Sequence, residues 1–121
     1  MIALDERVAE TLMHGEVMDI TTTGRTSGDP RRIELVYHNV DGHILISGHP
    51  GRPRSWLANL TANPHFTFHL KRSVQADLPA TARVITNREE RERFLKPIAR
   101  LWRIDYALMV ASAPLVEVTF D

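Results

Sequence analysis

Cysteine is absent from the chain, which excludes disulfides, thiolate metal sites and cysteine nucleophiles. An excess of either charge is also lacking. Fifteen Lys and Arg balance 15 Asp and Glu, so neither bulk nucleic acid nor an anionic membrane surface is the expected main partner. No apolar run approaches the roughly 18 residues of a membrane-spanning helix. The start, Met1 to Arg7, carries Asp5 and Glu6 and is too acidic for a signal peptide. A soluble cytoplasmic protein is the expectation. What remains is 121 residues with 43% hydrophobic content, read as a single domain over 1–121 with one core.

The neutral total hides an asymmetry. Residues 1–20 carry Asp5, Glu6, Glu10, Glu16 and Asp19 against Arg7 alone, whereas residues 24–54 hold Arg25, Arg31, Arg32, Arg52 and Arg54 against Asp29, Glu34 and Asp41. These cations fall in two loops that flank one pair of expected strands. All are Arg, whose planar fork pairs bidentately with phosphate or carboxylate.

Along the chain, Leu4, Val8 and Leu12 stand at helical spacing over 3–14, with Gly15 placed to close the helix in the left-handed conformation. Residues 16–23 are β-branched and suit a strand, and Gly24 to Pro30 is a turn. A second strand over 31–40 alternates Ile33, Leu35 and Tyr37 with Glu34, Val36 and His38, and Asp41-Gly42 turns it into a third at 43–47. Antiparallel pairing of those two strands brings the Arg25–Arg31 turn and the Ser47–Arg54 loop to one end of the sheet. A short helix from Arg54 or Ser55 ends at Asn63-Pro64. Strands follow at 65–71 and 76–85, the latter with an edge or a bulge at Pro79. Asn87 to Glu90 reads as a capping box for a helix with Phe94, Ile98, Leu101 and Trp102 on its apolar stripe, kinked or divided at Pro97. Residues 103–112 are ambiguous, and 114–120 closes the sheet with Val116, Val118 and Phe120 inward. Five or six antiparallel strands with short helices make this a mainly β, α+β chain, and its brevity favours a barrel over a sandwich.

The chemistry concentrates between Ser47 and Pro64. A helix start offers unpaired backbone N–H groups and the positive end of a dipole, so arginines beside it make a receptor for phosphate or carboxylate. The plainer reading is a surface loop with solvated arginines. His65 and His69 share a strand face, yet lie about 13 Å apart at 3.3 Å per residue, too far to ligate one ion. No metal is expected. Ser47 and Ser55 lie in no nucleophile elbow, and Gly48 to Gly51 follows neither a Rossmann nor a Walker pattern. Trp56 and Asn59 share a helix face, and Asn59, turned inward, would fix loop backbone.

Three stretches together carry a resemblance: Thr21-Thr-Thr-Gly-Arg-Thr-Ser-Gly-Asp-Pro-Arg31, Ser47-Gly-His-Pro-Gly-Arg-Pro-Arg-Ser-Trp-Leu-Ala-Asn-Leu60 with Ala62-Asn-Pro64, and Pro114-Leu-Val-Glu-Val118. They resemble the deazaflavin-dependent nitroreductase/quinone reductase family of the split β-barrel, FMN-binding-like superfamily. The resemblance implies a split barrel binding coenzyme F-420, whose phosphate and oligoglutamate tail account for an arginine cleft. By position, Arg25 and Arg31 meet the phosphate or tail. Gly48, His49, Gly51, Arg52 and Arg54 with Ser55 and Trp56 hold the phosphate and ribityl region, while Asn59 braces the loop. Ser47 sits by the hydride-transfer carbon, and Ser47 and Tyr106 are the catalytic candidates. The chain departs from the family where a Lys often follows the strand-three serine: Gly48-His49 stands there. Its aromatic substrate wall is thin, with only Trp102 and Tyr106 in that segment and Val36 where a tyrosine can occur.

The expected activity is hydride transfer from reduced F-420 to a small-molecule electron acceptor, an activated alkene, quinone or nitro compound. The alternatives are an FMN-dependent reductase of the same fold, and a non-catalytic flavin, deazaflavin or lipid carrier. Split barrels commonly pair through sheet faces, so a homodimer is an expectation alongside a monomer.

Overall fold

The computed structural model describes residues 4–121. Six strands, β1 (Glu16–Thr23), β2 (Pro30–Val40), β3 (His43–Ser47), β4 (His65–Leu70), β5 (Ala76–Val84) and β6 (Leu115–Phe120), close into one antiparallel barrel in the order β1-β2-β3-β6-β5-β4. Among the described residues four helices decorate it: α1 (Glu6–Thr11), α2 (Ser55–Ala62), α3 (Arg88–Trp102) and α4 (Tyr106–Ser112). Closure leaves no sheet edge along the paired stretches, which is how a small β domain avoids edge-to-edge association.

Alternation fills the interior. Met18 and Ile20, Tyr37, Ile44 and Ile46, Phe68 and Leu70, Ala82, Val116 and Val118 point inward from the six strands, joined by Val8 and Leu12 of the α1 segment and Trp56 and Leu60 of α2. Phe68 meets Tyr37 and Phe120 edge to face at 5.3 and 5.2 Å, the geometry aromatic quadrupoles favour. The Tyr37 hydroxyl donates to the Thr11 carbonyl at 2.9 Å, and burial raises its pKa. A second core lies outside the barrel, where Phe94, Leu95 and Ile98 of α3 and Met109 and Val110 of α4 cover Leu45 and Leu115. β3 is therefore buried on both faces, which explains its unbroken His-Ile-Leu-Ile-Ser run.

Several expectations are corrected. The first helix spans six residues rather than 3–14, and residue 3 lies outside the described residues. Gly15 does not adopt positive φ. It is needed for close approach, since a Cβ there would meet the Tyr37 carbonyl oxygen at 2.5 Å. Pro97 neither divides nor ends α3, which runs unbroken over 15 residues; the helix forgoes one backbone bond at the Arg93 carbonyl. Leu101 is 69% exposed and leaves the expected stripe, and Ile33 is 40% exposed. The reason for Ile33 is length: β3 pairs with β2 only from Tyr37 to Val40, so the first half of β2 projects past its neighbour. Pro79 sits on a ladder with β4 that carries no bulge, and on its other side, just past the Ala80↔Phe120 pair, its carbonyl accepts from the Asp121 N–H at 3.0 Å, so it is neither a bulge nor an open edge. Residues 103–112, ambiguous in sequence, supply α4. Asp105 caps it by accepting from the Leu108 N–H at 3.1 Å.

Candidate functional site

β2 and β3 are antiparallel, pairing Tyr37 with Ile46 and Val40 with His43. The β1–β2 turn and the β3–α2 loop therefore stand at one end of the barrel. Between that turn, β2 and the start of α2 lies a hollow of about 400 Å³, lined by Thr22, Gly24 to Ser27, Arg31 to Ile33, Ser55, Trp56 and Asn59.

Asn59 builds this hollow. Nearly fully buried at 3% exposure, its Oδ1 accepts from the Arg25 backbone N–H at 3.1 Å and from the Arg25 guanidinium at 3.0 Å. Its Nδ2 donates to Thr22 Oγ1 at 3.1 Å. One side chain of α2 thus ties down both the turn and the end of β1. The turn closes on itself through Gly24 N–H to the Asp29 carbonyl and Gly28 N–H to the Gly24 carbonyl, both 2.8 Å, with Gly28 at φ 75°, where a Cβ would be strained. Arg31 reaches only Ser27 Oγ, at 3.4 Å. Among the described residues neither Arg25 nor Arg31 has a carboxylate partner, whereas Arg32 is held by Asp19 at 2.9 Å. Asp19 also pairs with Lys71 at 2.7 Å, and these cations hold its carboxyl below the usual range. Two guanidinium groups with no counter-charge thus face one hollow beside a helix start that has no side-chain cap, an arrangement suited to an anion.

The β3–α2 loop forms a second hollow of about 500 Å³ with Leu35, Val36, Ser47, Gly48, His49, Arg54 and Trp102. It adjoins the first along β2, where Ile33 lines one and Leu35 the other, and through Arg54-Ser55. Arg54 spends its guanidinium on the loop itself, donating to the His49 carbonyl at 2.6 Å and the Arg52 carbonyl at 3.0 Å. A Cβ at Gly48 would meet that guanidinium at 3.0 Å, so Gly48 lets the loop fold down. Burial and the nearby Arg52 lower the Arg54 pKa. The His49 ring stacks on Trp102 at 5.6 Å. Ser47, 3% exposed, donates its hydroxyl to the Pro114 carbonyl at 2.6 Å, which leaves its oxygen free only to accept.

The structure thus places Arg25, Arg31, Ser55, Trp56 and Asn59 at one hollow and Ser47, Gly48, His49 and Arg54 at the next. Gly51 and Arg52 line neither. Tyr106 is also outside both, its hydroxyl donating to the Glu92 carbonyl at 3.0 Å. Sequence reasoning passed over Thr22 and Ile33. Thr22 carried a signal as part of the β-branched Thr21-Thr22-Thr23 run that ends a strand before Gly24, whereas Ile33 was placed by alternation on one strand face with Leu35 and Tyr37.

A closed six-stranded antiparallel barrel with short helices, whose rim carries a cationic hollow beside a more apolar one, is a split barrel of the FMN-binding-like fold class. Solved structures agree on the fold. An F420-H2 dependent reductase superposes with TM-score 0.63 at 24% identity, over 98% of this chain and 99% of its own. A chain described as a domain-swapped dimer gives 0.62 at 26%, over 96% and 82%. A putative pyridoxamine 5'-phosphate oxidase from Listeria innocua gives 0.65 at 13%, over 94% and 88%. The chain belongs to the F420H(2)-dependent quinone reductase family, whose sequence model matches residues 2–118. It is a deazaflavin-dependent reductase, and the family's coenzyme is reduced F-420. No helix among the described residues is long and apolar enough to cross a membrane.

Proposed function

We propose that the Arg25–Arg31 hollow takes the anionic arm of F-420, that the Ser47–Trp102 hollow takes the ring, and that the acceptor is a quinone, an activated alkene or a nitro compound. The observation that carries this reading is the pair of guanidinium groups, free of carboxylates, in a hollow that adjoins a more apolar one. The residues fit the group: an acidic tail needs counter-charge, and a flat ring needs an uncharged wall such as Leu35, Val36 and Trp102.

When bound, the reduced coenzyme supplies a hydride. The chain supplies placement and a proton. Asn59 presents Arg25, Arg54 holds the loop down over the rim, and Ser47 offers an acceptor oxygen at the end of β3. His49, exposed and stacked on Trp102, is the side chain of the ring hollow whose imidazole N–H can be given to an acceptor oxygen as charge develops there. It stands in the region where relatives often place a Lys.

Titration of the protein with F-420 and with FMN, side by side, tests the assignment. F-420 should bind more tightly, and Arg31→Ala should weaken it by about tenfold or more, the worth of a charged hydrogen bond. Unchanged affinity in Arg31→Ala, or a preference for FMN, would overturn it.

A further inference from the structure

His65 and His69 lie too far apart on β4 to share an ion, yet His69 has partners of another kind. On the outer face of the barrel it stands opposite Asp77 of β5 in one ladder and opposite Asp19 of β1 in the other, which makes Thr21 its diagonal neighbour. Its Nδ1 lies 2.6 Å from Asp77 Oδ1 and its Nε2 lies 2.7 Å from Thr21 Oγ1. A carboxylate only accepts, so in the neutral ring Nδ1 carries the proton and Nε2 accepts from the Thr21 hydroxyl. The residue is 7% exposed, and its neighbours hold the ring in that orientation. A hydroxyl, an imidazole base and an orienting carboxylate are thereby in contact, the arrangement that activates hydroxyl nucleophiles on unrelated folds.

We infer that this outer face hydrolyses small carboxylic esters, with Thr21 Oγ1 as nucleophile, His69 as base and Asp77 as the positioning residue that fixes the ring. Alternation along β1 turns Thr22 inward to Asn59 and Thr21 to the opposite face. There Thr21 lines a hollow of about 450 Å³ together with Thr23, Thr67 and Pro79, a volume within the roughly 300–1,000 Å³ of small-molecule sites. Thr67 is directly across from Thr21 in the β1–β4 ladder, so its hydroxyl and that of Thr23 can donate to an oxyanion forming beside Thr21, while Pro79 offers apolar contact to a short acyl chain. In the first step Thr21 Oγ1 bonds to the ester carbonyl carbon and its proton passes to His69 Nε2. The carbon–oxygen bond to the alcohol then breaks, and the alcohol leaves with that proton. In the second step His69 takes a proton from water, the hydroxide displaces Thr21 from the acyl group, and the carboxylic acid departs as Thr21 regains its hydrogen. Neither His69 nor Asp77 nor Thr21 lines the arginine hollow or the ring hollow, so this activity stands apart from the proposed function and needs no coenzyme.

The test uses the full chain without coenzyme and 4-nitrophenyl acetate as the probe. Released 4-nitrophenolate is followed by absorbance, and the acetylated residue is located by peptide mass mapping of quenched samples. Turnover should exceed the buffer rate, and the acetyl group should be found on Thr21. Thr21→Val should abolish both at unchanged circular dichroism, Thr21→Ser should retain both, and His69→Gln should lower kcat/KM by about a hundredfold or more. Asp77→Asn should lower kcat with little change in KM, a split that a merely structural bridge would not produce, and 15N NMR should show His69 passing from the Nδ1–H tautomer to a mixture. Acetyl found only on lysines or the N-terminus, equal rates in the native chain and in Thr21→Val, or no turnover above buffer would overturn the inference and leave the three residues as a bridge between β1, β4 and β5. None of these outcomes bears on F-420 binding, which Arg31→Ala tests by itself.

Discussion

Asn59 shows how one buried amide sets both stability and charge in the anion hollow. Removing it in Asn59→Ala strands Thr22 and releases Arg25, and should cost about 1–3 kcal/mol in thermal or denaturant unfolding. Asn59→Asp separates the two roles. Its carboxylate still accepts from Arg25, so stability should stay near the native value, but Arg25 then has a counter-charge and F-420 affinity should fall. Retained affinity in Asn59→Asp would mean that Arg25 does not meet the anion. His38 yields a prediction of a different kind. Its folded pKa of about 4 lies below the 6.5 of the free side chain, so the unfolded chain binds the extra proton first. Its contribution is complete above about pH 6.5 and is lost as pH falls towards 4, by an amount on the order of 3 kcal/mol. Unfolding measured at pH 7 and pH 5 should show a drop in the native chain that is smaller in His38→Leu. The depressed carboxylates Asp19, Glu90 and Glu117 also lose stability in acid, but that loss sets in as pH falls through their ordinary values and lies mostly below pH 5, so the difference between the native chain and His38→Leu over the window reports on His38.

At the scale of elements, α4 and its tether were the least legible part of the chain. The strands announced themselves through alternation, the turns through glycine and aspartate, and the two arginine loops through the antiparallel pairing of β2 with β3. Nothing comparable marked Arg91. It sits in the run Arg88-Glu-Glu-Arg-Glu-Arg, which reads as a solvated face, yet its guanidinium turns inward. It donates to the carbonyls of Ile85, Val110, Met109 and Ala113 at 3.0, 2.9, 3.3 and 2.6 Å, and burial lowers its pKa. The last carbonyls of α4 lack intrahelical donors, and Arg91 supplies them while fastening α4 to the end of β5. Ala113 precedes Pro114, whose carbonyl holds Ser47, so the tether extends to the ring hollow. Arg91→Met keeps the stem and removes the donors. It should lower unfolding stability by about 2–4 kcal/mol and raise amide exchange across 106–114 before the barrel strands exchange. Uniform exchange throughout the molecule would deny α4 that separate tether.

For the whole molecule, the neutral charge balance and the local cationic hollow make opposite demands on binding. With no net charge, long-range attraction of an anion is weak, so affinity for the acidic coenzyme has to come from Arg25 and Arg31 at short range. Their exposure at the rim makes that contribution sensitive to screening, because the Debye length shrinks from about 10 Å at 0.1 M salt to about 3 Å at 1 M. The alternation that made β2 legible put Val36 and His38 on the face opposite Ile33, Leu35 and Tyr37 without showing what covers it; the packing of α3, with Trp102 edge-on to His38 at 5.0 Å, is what buries that face. Raising salt from 0.05 to 0.5 M should therefore weaken F-420 binding to the native chain by several-fold, and weaken it less in Arg31→Ala. A salt dependence equal in the native chain and in Arg31→Ala would mean that Arg31 makes no short-range contact with the anion, and would leave the arginine hollow without its proposed role.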